Sequence, residues 1–187
     1  MKIHKTFLEE VVLFEPDIFR DERGYFTESF NEKKLKSLDI DFKGVQDNHC
    51  LSEKKGTLRG LHYQLNPAAQ TKIVRVIAGE IFDVAVDIRQ GSPTFGQWEG
   101  ITLSAENRLQ IFVPKGFAHG YISLTSNTEV LYKVDEFYSP DYERSILWND
   151  PDIGIDWPLK NPILAEKDLN APRFRNAEIN FSYSDHK

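Results

Sequence analysis

The chain has 187 residues, the length of a single domain, and its 40% hydrophobic and 28% charged content excludes a disordered chain. The lone cysteine, Cys50, excludes an internal disulfide and a four-cysteine zinc site. The net charge is -6, and no Lys/Arg run is longer than two, which excludes a generic basic track for nucleic acid.

The first apolar stretch, Val11-Val12-Leu13-Phe14, is the longest unbroken one. It is far short of the roughly 20 residues of a membrane helix, and Glu9-Glu10 interrupts any leader-like core. These features point to a cytoplasmic protein with no membrane partner. Phe19 to Phe26 predicts a hairpin, with Gly24 supplying the positive φ of its loop and Arg23 at the exposed tip. Asn31 to Leu38 is the only convincing helix. Short segments rich in Val, Ile, Phe, Tyr and Thr then follow between scattered prolines and glycines, the pattern of an all-β sandwich or barrel.

Gly56 to Gln64 is the densest in chemistry-bearing side chains. Regular alternation places Leu58, Gly60, His62 and Gln64 on one face and Arg59 on the other. If Arg59 and His62 serve one site, Gly60 marks a bulge or another subunit supplies one wall. Lys72 to Ile77 predicts a strand ending at Ala78-Gly79, with Lys72 on the face of Val74 and Val76. Its ammonium therefore points into an apolar interior, a costly placement without a function. In Ile81 to Ile88, Phe82, Val84, Val86 and Ile88 share one face while Asp83 and Asp87 share the other; Asp83 is left unassigned. Leu109 to Val113 is a strand broken by Pro114-Lys115-Gly116. Val130, Tyr132 and Val134 share a face. The proline-rich tail from Asp150 is expected to wrap the barrel, with residues 1–187 forming one domain.

Taken singly, these residues have plain readings: His62 a core histidine, Tyr132 a core tyrosine, Asp168 a surface charge. The run Pro114-Lys115-Gly116-Phe117-Ala118-His119-Gly120 resembles the second motif of the cupin jelly rolls. The first cupin motif carries a His-x-His pair and a glutamate as metal ligands. Here that place reads His62-Tyr63-Gln64 with no glutamate following, a poor donor set for a transition metal. A metal-dependent cupin is disfavoured.

A more specific resemblance covers residues 19 to 172. FRDERGYFTESF (Phe19 to Phe30), QDN (Gln46 to Asn48), KGTLRGLHYQ (Lys55 to Gln64), QTKIV (Gln70 to Val74) and DVAVDIR (Asp83 to Arg89) begin it. SPTFGQW (Ser92 to Trp98), PKGFAHG, Tyr132-Lys133, Tyr138-Ser139-Pro140, Trp148 to Pro151 and Lys167-Asp168 continue it in order. Together they are similar to the dTDP-4-dehydrorhamnose 3,5-epimerase family.

The resemblance implies a metal-free jelly-roll barrel that inverts C3 and C5 of a dTDP-4-keto-6-deoxyhexose, with no cofactor because no redox change occurs. It implies His62 as base, Asp168 as its carboxylate partner, Lys72 as enolate stabiliser and Tyr132 as the opposing acid. It implies Arg23, Arg59 and Lys167 on the diphosphate and Tyr138 stacked on thymine. Glu28, Gln46, Asn48, His119 and Glu143 would contact the sugar or nucleotide, and Phe26 would line the sugar pocket. It also implies a homodimer whose N-terminal stretch crosses to the partner barrel. Cys50 stands where serine is usual and is expected to be an inert buried thiol. A mono-epimerase and a non-catalytic nucleotide-sugar-binding jelly roll remain open alternatives.

Overall fold

The computed structural model describes residues 1–186. Its strands are β1 (Lys2–His4), β2 (Val12–Glu15), β3 (Ile18–Asp21), β4 (Gly24–Thr27), β5 (Gln46–Ser52), β6 (Leu58–Gln64) and β7 (Lys72–Ala78). They continue with β8 (Glu80–Asp87), β9 (Trp98–Ser104), β10 (Gln110–Val113), β11 (Phe117–Ser123), β12 (Thr128–Val134) and β13 (Glu143–Ser145). One sheet has the order β1-β2-β10-β7-β12-β5 and a second the order β13-β6-β11-β8-β9. Strands β3 and β4 pair only with each other. This is the expected all-β, cupin-like jelly roll.

The interior between the two sheets is closed by Val74, Val76, Ile111 and Val130 from the first sheet and Ile81, Ala85, Leu103 and Phe117 from the second. The second sheet is also covered on its other face. There Leu58, Leu61, Tyr63, Val84, Val86 and Ile122 pack under Ile153, Trp157, Phe174 and Phe181 of the C-terminal segment. Burial on both sides explains why every residue of β11 is buried. It also decides the orientation of β8. Its apolar row faces out, under the tail, and its acidic row, Asp83 and Asp87, shares the inward face with Ile81 and Ala85.

The predicted helix is shorter than Asn31 to Leu38. It is α1 (Glu32–Lys36), because Asn31 accepts a capping bond from the Lys34 amide at 3.1 Å and Asp39, at φ 61°, turns the chain away. Leu35 and the following Ile40 and Phe42 seal the outer face of the first sheet over Phe14 and Ile73. A second helical turn, α2 (Glu166–Leu169), has no signal in the sequence. Of the N-terminal stretch expected to cross to a partner, β2 pairs with β10 of its own chain, and only the β3–β4 hairpin stands outside both sheets.

Strand β6 departs from regular alternation. Between the paired positions His119↔His62 and Tyr121↔Arg59, three steps on β6 match two on β11. The extra residue lies at Gly60-Leu61, with Gly60 at φ +130°. The bulge returns Arg59 to the face of His62 and sends Leu58 to the opposite, tail-covered face. The expectation that Leu58 and His62 share a face is thus corrected. A Cβ on Gly60 would lie 2.5 Å from Gly120 Cα and 2.8 Å from the His119 carbonyl oxygen. Gly60→Ala therefore combines a disfavoured φ with overpacking and should destabilise the protein by about 3 kcal/mol, read as a lowered Tm. A Tm equal to that of the parent protein would show that the bulge tolerates a side chain.

Candidate active site

A cavity of about 400 Å³ opens between the sheets, lined by Cys50, Arg59, His62, Lys72, His119, Tyr121, Tyr132, Glu143, Lys167 and Asp168 among others. An adjoining cavity of about 110 Å³ shares His62, Lys72, Tyr132 and Glu143 and adds Gln46, Asn48 and Tyr138. Residues scattered from position 46 to 168 thus converge because both sheets turn their polar positions toward one end of the barrel interior.

His62 and Asp168, 106 residues apart, are joined by a 2.5 Å bond between Nε2 and Oδ1. The tail is brought there by backbone pairing: the Leu58 amide donates to the Ile163 carbonyl at 2.9 Å. The turn of α2 then buries Asp168 against β6. With Nε2–H committed to the carboxylate, Nδ1 is the imidazole atom left to accept a proton. His119, directly across the β6–β11 pairing from His62, has its own carboxylate: Nε2 lies 3.0 Å from each oxygen of Asp83.

Lys72 faces the cavity from β7. Desolvation inside the barrel pulls its pKa down to about 8, against the opposing attraction of Asp83 and Glu143. Tyr132 stands on β12, in the sheet opposite His62, and desolvation pushes its phenol up to about 12, so it stays protonated. Burial raises the Glu143 carboxyl, but the Lys167 ammonium at 3.0 Å, with His62 and Tyr138 nearby, holds it below the ordinary range.

The rim is tied together by hydrogen bonds. The Tyr138 hydroxyl donates to Glu143 at 3.2 Å and its amide to the Gln46 side chain at 3.1 Å; Gln46 donates in turn to Asn48 at 2.9 Å. Gln64 occupies the place of the second cupin histidine. Its amide nitrogen donates to Ala68 O at 2.6 Å and its oxygen accepts from the Ser139 amide at 2.8 Å, so it fastens the loop bearing Tyr138. Among the described residues, no three His, Cys, Asp or Glu side chains form a metal-binding group. Arg59 donates to the Leu51 carbonyl at 3.0 Å and has no carboxylate partner among the described residues, so its guanidinium fork is open to an anion.

Eleven of the fourteen residues expected from the sequence line these two cavities. Arg23, Phe26 and Glu28 do not. Arg23 pairs with Asp21 at the hairpin tip, Phe26 is 69% exposed, and Glu28 pairs with Lys34 at 2.7 Å. The structure adds Cys50 and Tyr121 to the lining, and Asp83 behind it as the partner of His119. Cys50 is not a buried core thiol: it is half-buried at the cavity wall, because β5 turns Gln46, Asn48 and Cys50 inward together. Tyr121 follows His119 by two and shares its face, a spacing visible in the sequence; its buried hydroxyl has no hydrogen-bond partner among the described residues.

A base held by a carboxylate, a desolvated ammonium and a protonated phenol on the opposite wall can remove a proton beside a carbonyl, stabilise the enolate and reprotonate it. Comparison with known proteins agrees. Residues 5–176 match the family model described as dTDP-4-dehydrorhamnose 3,5-epimerase. The chain is similar to the dTDP-4-dehydrorhamnose 3,5-epimerase of Shigella flexneri, 52% identical over 181 residues, 95% of this chain and 98% of that one. It superposes on the Bacillus anthracis dTDP-4-dehydrorhamnose 3,5-epimerase with TDP and pyrophosphate bound, with a TM-score of 0.90, 50% identity and coverage of 92% and 98%. It also superposes on the dTDP-6-deoxy-D-glucose-3,5-epimerase of Legionella pneumophila in complex with dTDP-4-keto-L-rhamnose, with a TM-score of 0.90, 48% identity and coverage of 94% and 93%.

Proposed function

The chain belongs to the dTDP-4-dehydrorhamnose 3,5-epimerase family, and from that premise we propose that His62 and Tyr132 work the two faces of one sugar ring. The protein is an isomerase. It inverts C3 and C5 of dTDP-4-dehydro-6-deoxy-D-glucose to give dTDP-4-dehydro-L-rhamnose. Both carbons flank the C4 ketone, so their protons are acidified and removal of either gives an enolate.

His62 takes the proton, with Asp168 fixing the tautomer and stabilising the imidazolium. Lys72 offers its ammonium to the enolate oxygen from a desolvated site, where the interaction is stronger than in water. Tyr132 delivers a proton from the opposite face, which completes the inversion. Arg59 and Lys167 hold the diphosphate, Tyr138 stacks on thymine, and Gln46, Asn48, His119 and Glu143 position the sugar and nucleotide. No step calls for a metal or redox cofactor. The observation behind this reading is the placement of the His62–Asp168 pair and Tyr132 on opposite sheets around one cavity that also holds Lys72. Proton NMR of dTDP-4-keto-6-deoxyglucose with the protein in heavy water tests it. Exchange and inversion at both carbons are expected; exchange at one carbon makes the protein a mono-epimerase, and exchange at neither makes it a binding protein.

We also propose a homodimer. The hairpin bares Phe19, Tyr25 and Phe26, exposed by 59%, 53% and 69%, a cluster that suits a protein contact. Docked into a partner barrel, it would deliver Arg23 and Phe26, with Glu28 just beyond it, to the partner's cavity. Light scattering at micromolar concentration should return twice the chain mass; a monomer would rule this out. No helix among the described residues is long and apolar enough to cross a membrane.

A further inference from the structure

The inward face of β8 holds a carboxylate, Asp83, at 0% exposure among apolar neighbours Ile81 and Ala85. A buried carboxylate is strongly unfavourable unless paired and hydrogen-bonded. Its neighbour in the same row, Asp87, is fully used by Arg89, Ser92 and Thr94 in a fastening of the β8 end. Asp83 has no such network: among the described residues its side chain bonds only to His119 Nε2. Nothing in the packing asks for an acid there, so its role lies with His119, which it touches, and with the charge it sets against Lys72.

We propose that Asp83 is a positioning residue of the epimerase, which holds His119 as an Nε2–H donor and supplies a buried counter-charge to the Lys72 ammonium. The barrel then contains two parallel histidine–carboxylate pairs on adjacent strands, His62–Asp168 and His119–Asp83. In both, the carboxylate takes Nε2 and leaves Nδ1 for the ligand. They differ in surroundings: the first is partly open to solvent, while Asp83 is wholly enclosed and shares its field with Lys72. The other charged or titratable groups around Lys72 are Glu143 from β13, Lys167 and Asp168 from α2, Arg59 and His62 from β6, His119 and Tyr121 from β11, Tyr132 from β12 and Cys50 from β5. Only Asp83 and Glu143 raise the Lys72 pKa appreciably, and Glu143 is already bound to Lys167.

This proposal rests on the epimerase reading above. Its test is Asp83→Asn, which keeps the shape and removes the charge, in kinetics of the full-length enzyme across pH. The kcat should fall roughly 10²-fold with a smaller change in KM, the scale on which carboxylates that orient a histidine act. The alkaline limb should move to lower pH, because Lys72 without its counter-charge gives up its proton more readily. Asp83→Asn combined with His119→Gln should be little worse than the more damaging single change. A loss of kcat with an unmoved limb and additive effects would mark a merely structural aspartate and overturn the proposal, as would unchanged kinetics. A second measurement needs no Asp83 variant: histidine ¹⁵N NMR of the parent enzyme, with His119 assigned through His119→Gln. A protonated Nε2 is expected; a bare Nε2 beside the carboxylate would overturn the proposal. If the parent enzyme exchanges neither C3 nor C5, the epimerase reading fails; if it exchanges both while Asp83→Asn behaves like it, Asp83 alone is misassigned.

Discussion

His62→Ala should abolish deuterium exchange at both C3 and C5, whereas Tyr132→Phe should spare exchange far more than product formation. The two residues stand on different sheets and line one cavity, so on the reading proposed above each reaches one face of a bound ring. A base can remove a proton and return one to the same face, which gives exchange without inversion. Inversion needs a donor on the other face, and phenylalanine has none. Desolvation keeps the Tyr132 phenol protonated, with a pKa of about 12, so the donor is available throughout the neutral range. Positioned acid–base catalysis contributes about 10²–10⁴-fold, so each loss should reach that scale in its own assay. Equal losses of exchange and epimerisation in Tyr132→Phe would make the tyrosine an orienting group. Near-normal exchange in His62→Ala would remove His62 as the base.

Lys72→Met should lower kcat by about 10²–10³-fold, the cost of losing one donor to a developing oxyanion. It should also erase a pH dependence. The Lys72 pKa is lowered from the ordinary lysine value to about 8 by desolvation, and the charged form exists below that value. If the ammonium is the active form, kcat is sustained below pH of about 8 and falls as pH rises through it. Methionine preserves the bulk and apolar stem but cannot titrate, so the residual activity should show no limb there. A limb that survives in Lys72→Met belongs to another group.

How much of this was visible in the chain differs from residue to residue. Lys72 was legible because alternation with Val74 and Val76 marks a charge on an apolar face, and the strand is regular from Lys72 to Val76. Tyr132 was legible for the same reason. Arg59 and His62 were legible only conditionally. Strict alternation separates them, and the bulge at Gly60 that reunites them depends on the close approach of Gly120 from β11, a contact no local pattern encodes. Asp168 was not legible from local sequence at all. It sits in a four-residue helix whose N-cap residue, Ala165, makes no side-chain capping bond, and its burial comes from pairing between Leu58 and Ile163.

The sequence by itself determined the all-β class, the regular strands and their apolar rows, because period-two alternation is a property of the backbone that needs no partner. It also determined, through its motif resemblance, which residues to look for. The tertiary structure decided which face of each strand is the inside. On β8 the apolar row is the outer face, because the C-terminal segment covers it, and the acidic row faces the interior between the sheets. It decided the bulge on β6, the pairing of each histidine with its carboxylate, and the isolation of the β3–β4 hairpin from its own cavity. Each of these depends on contacts between segments far apart in sequence, and the free energy of such a contact resides in both partners at once.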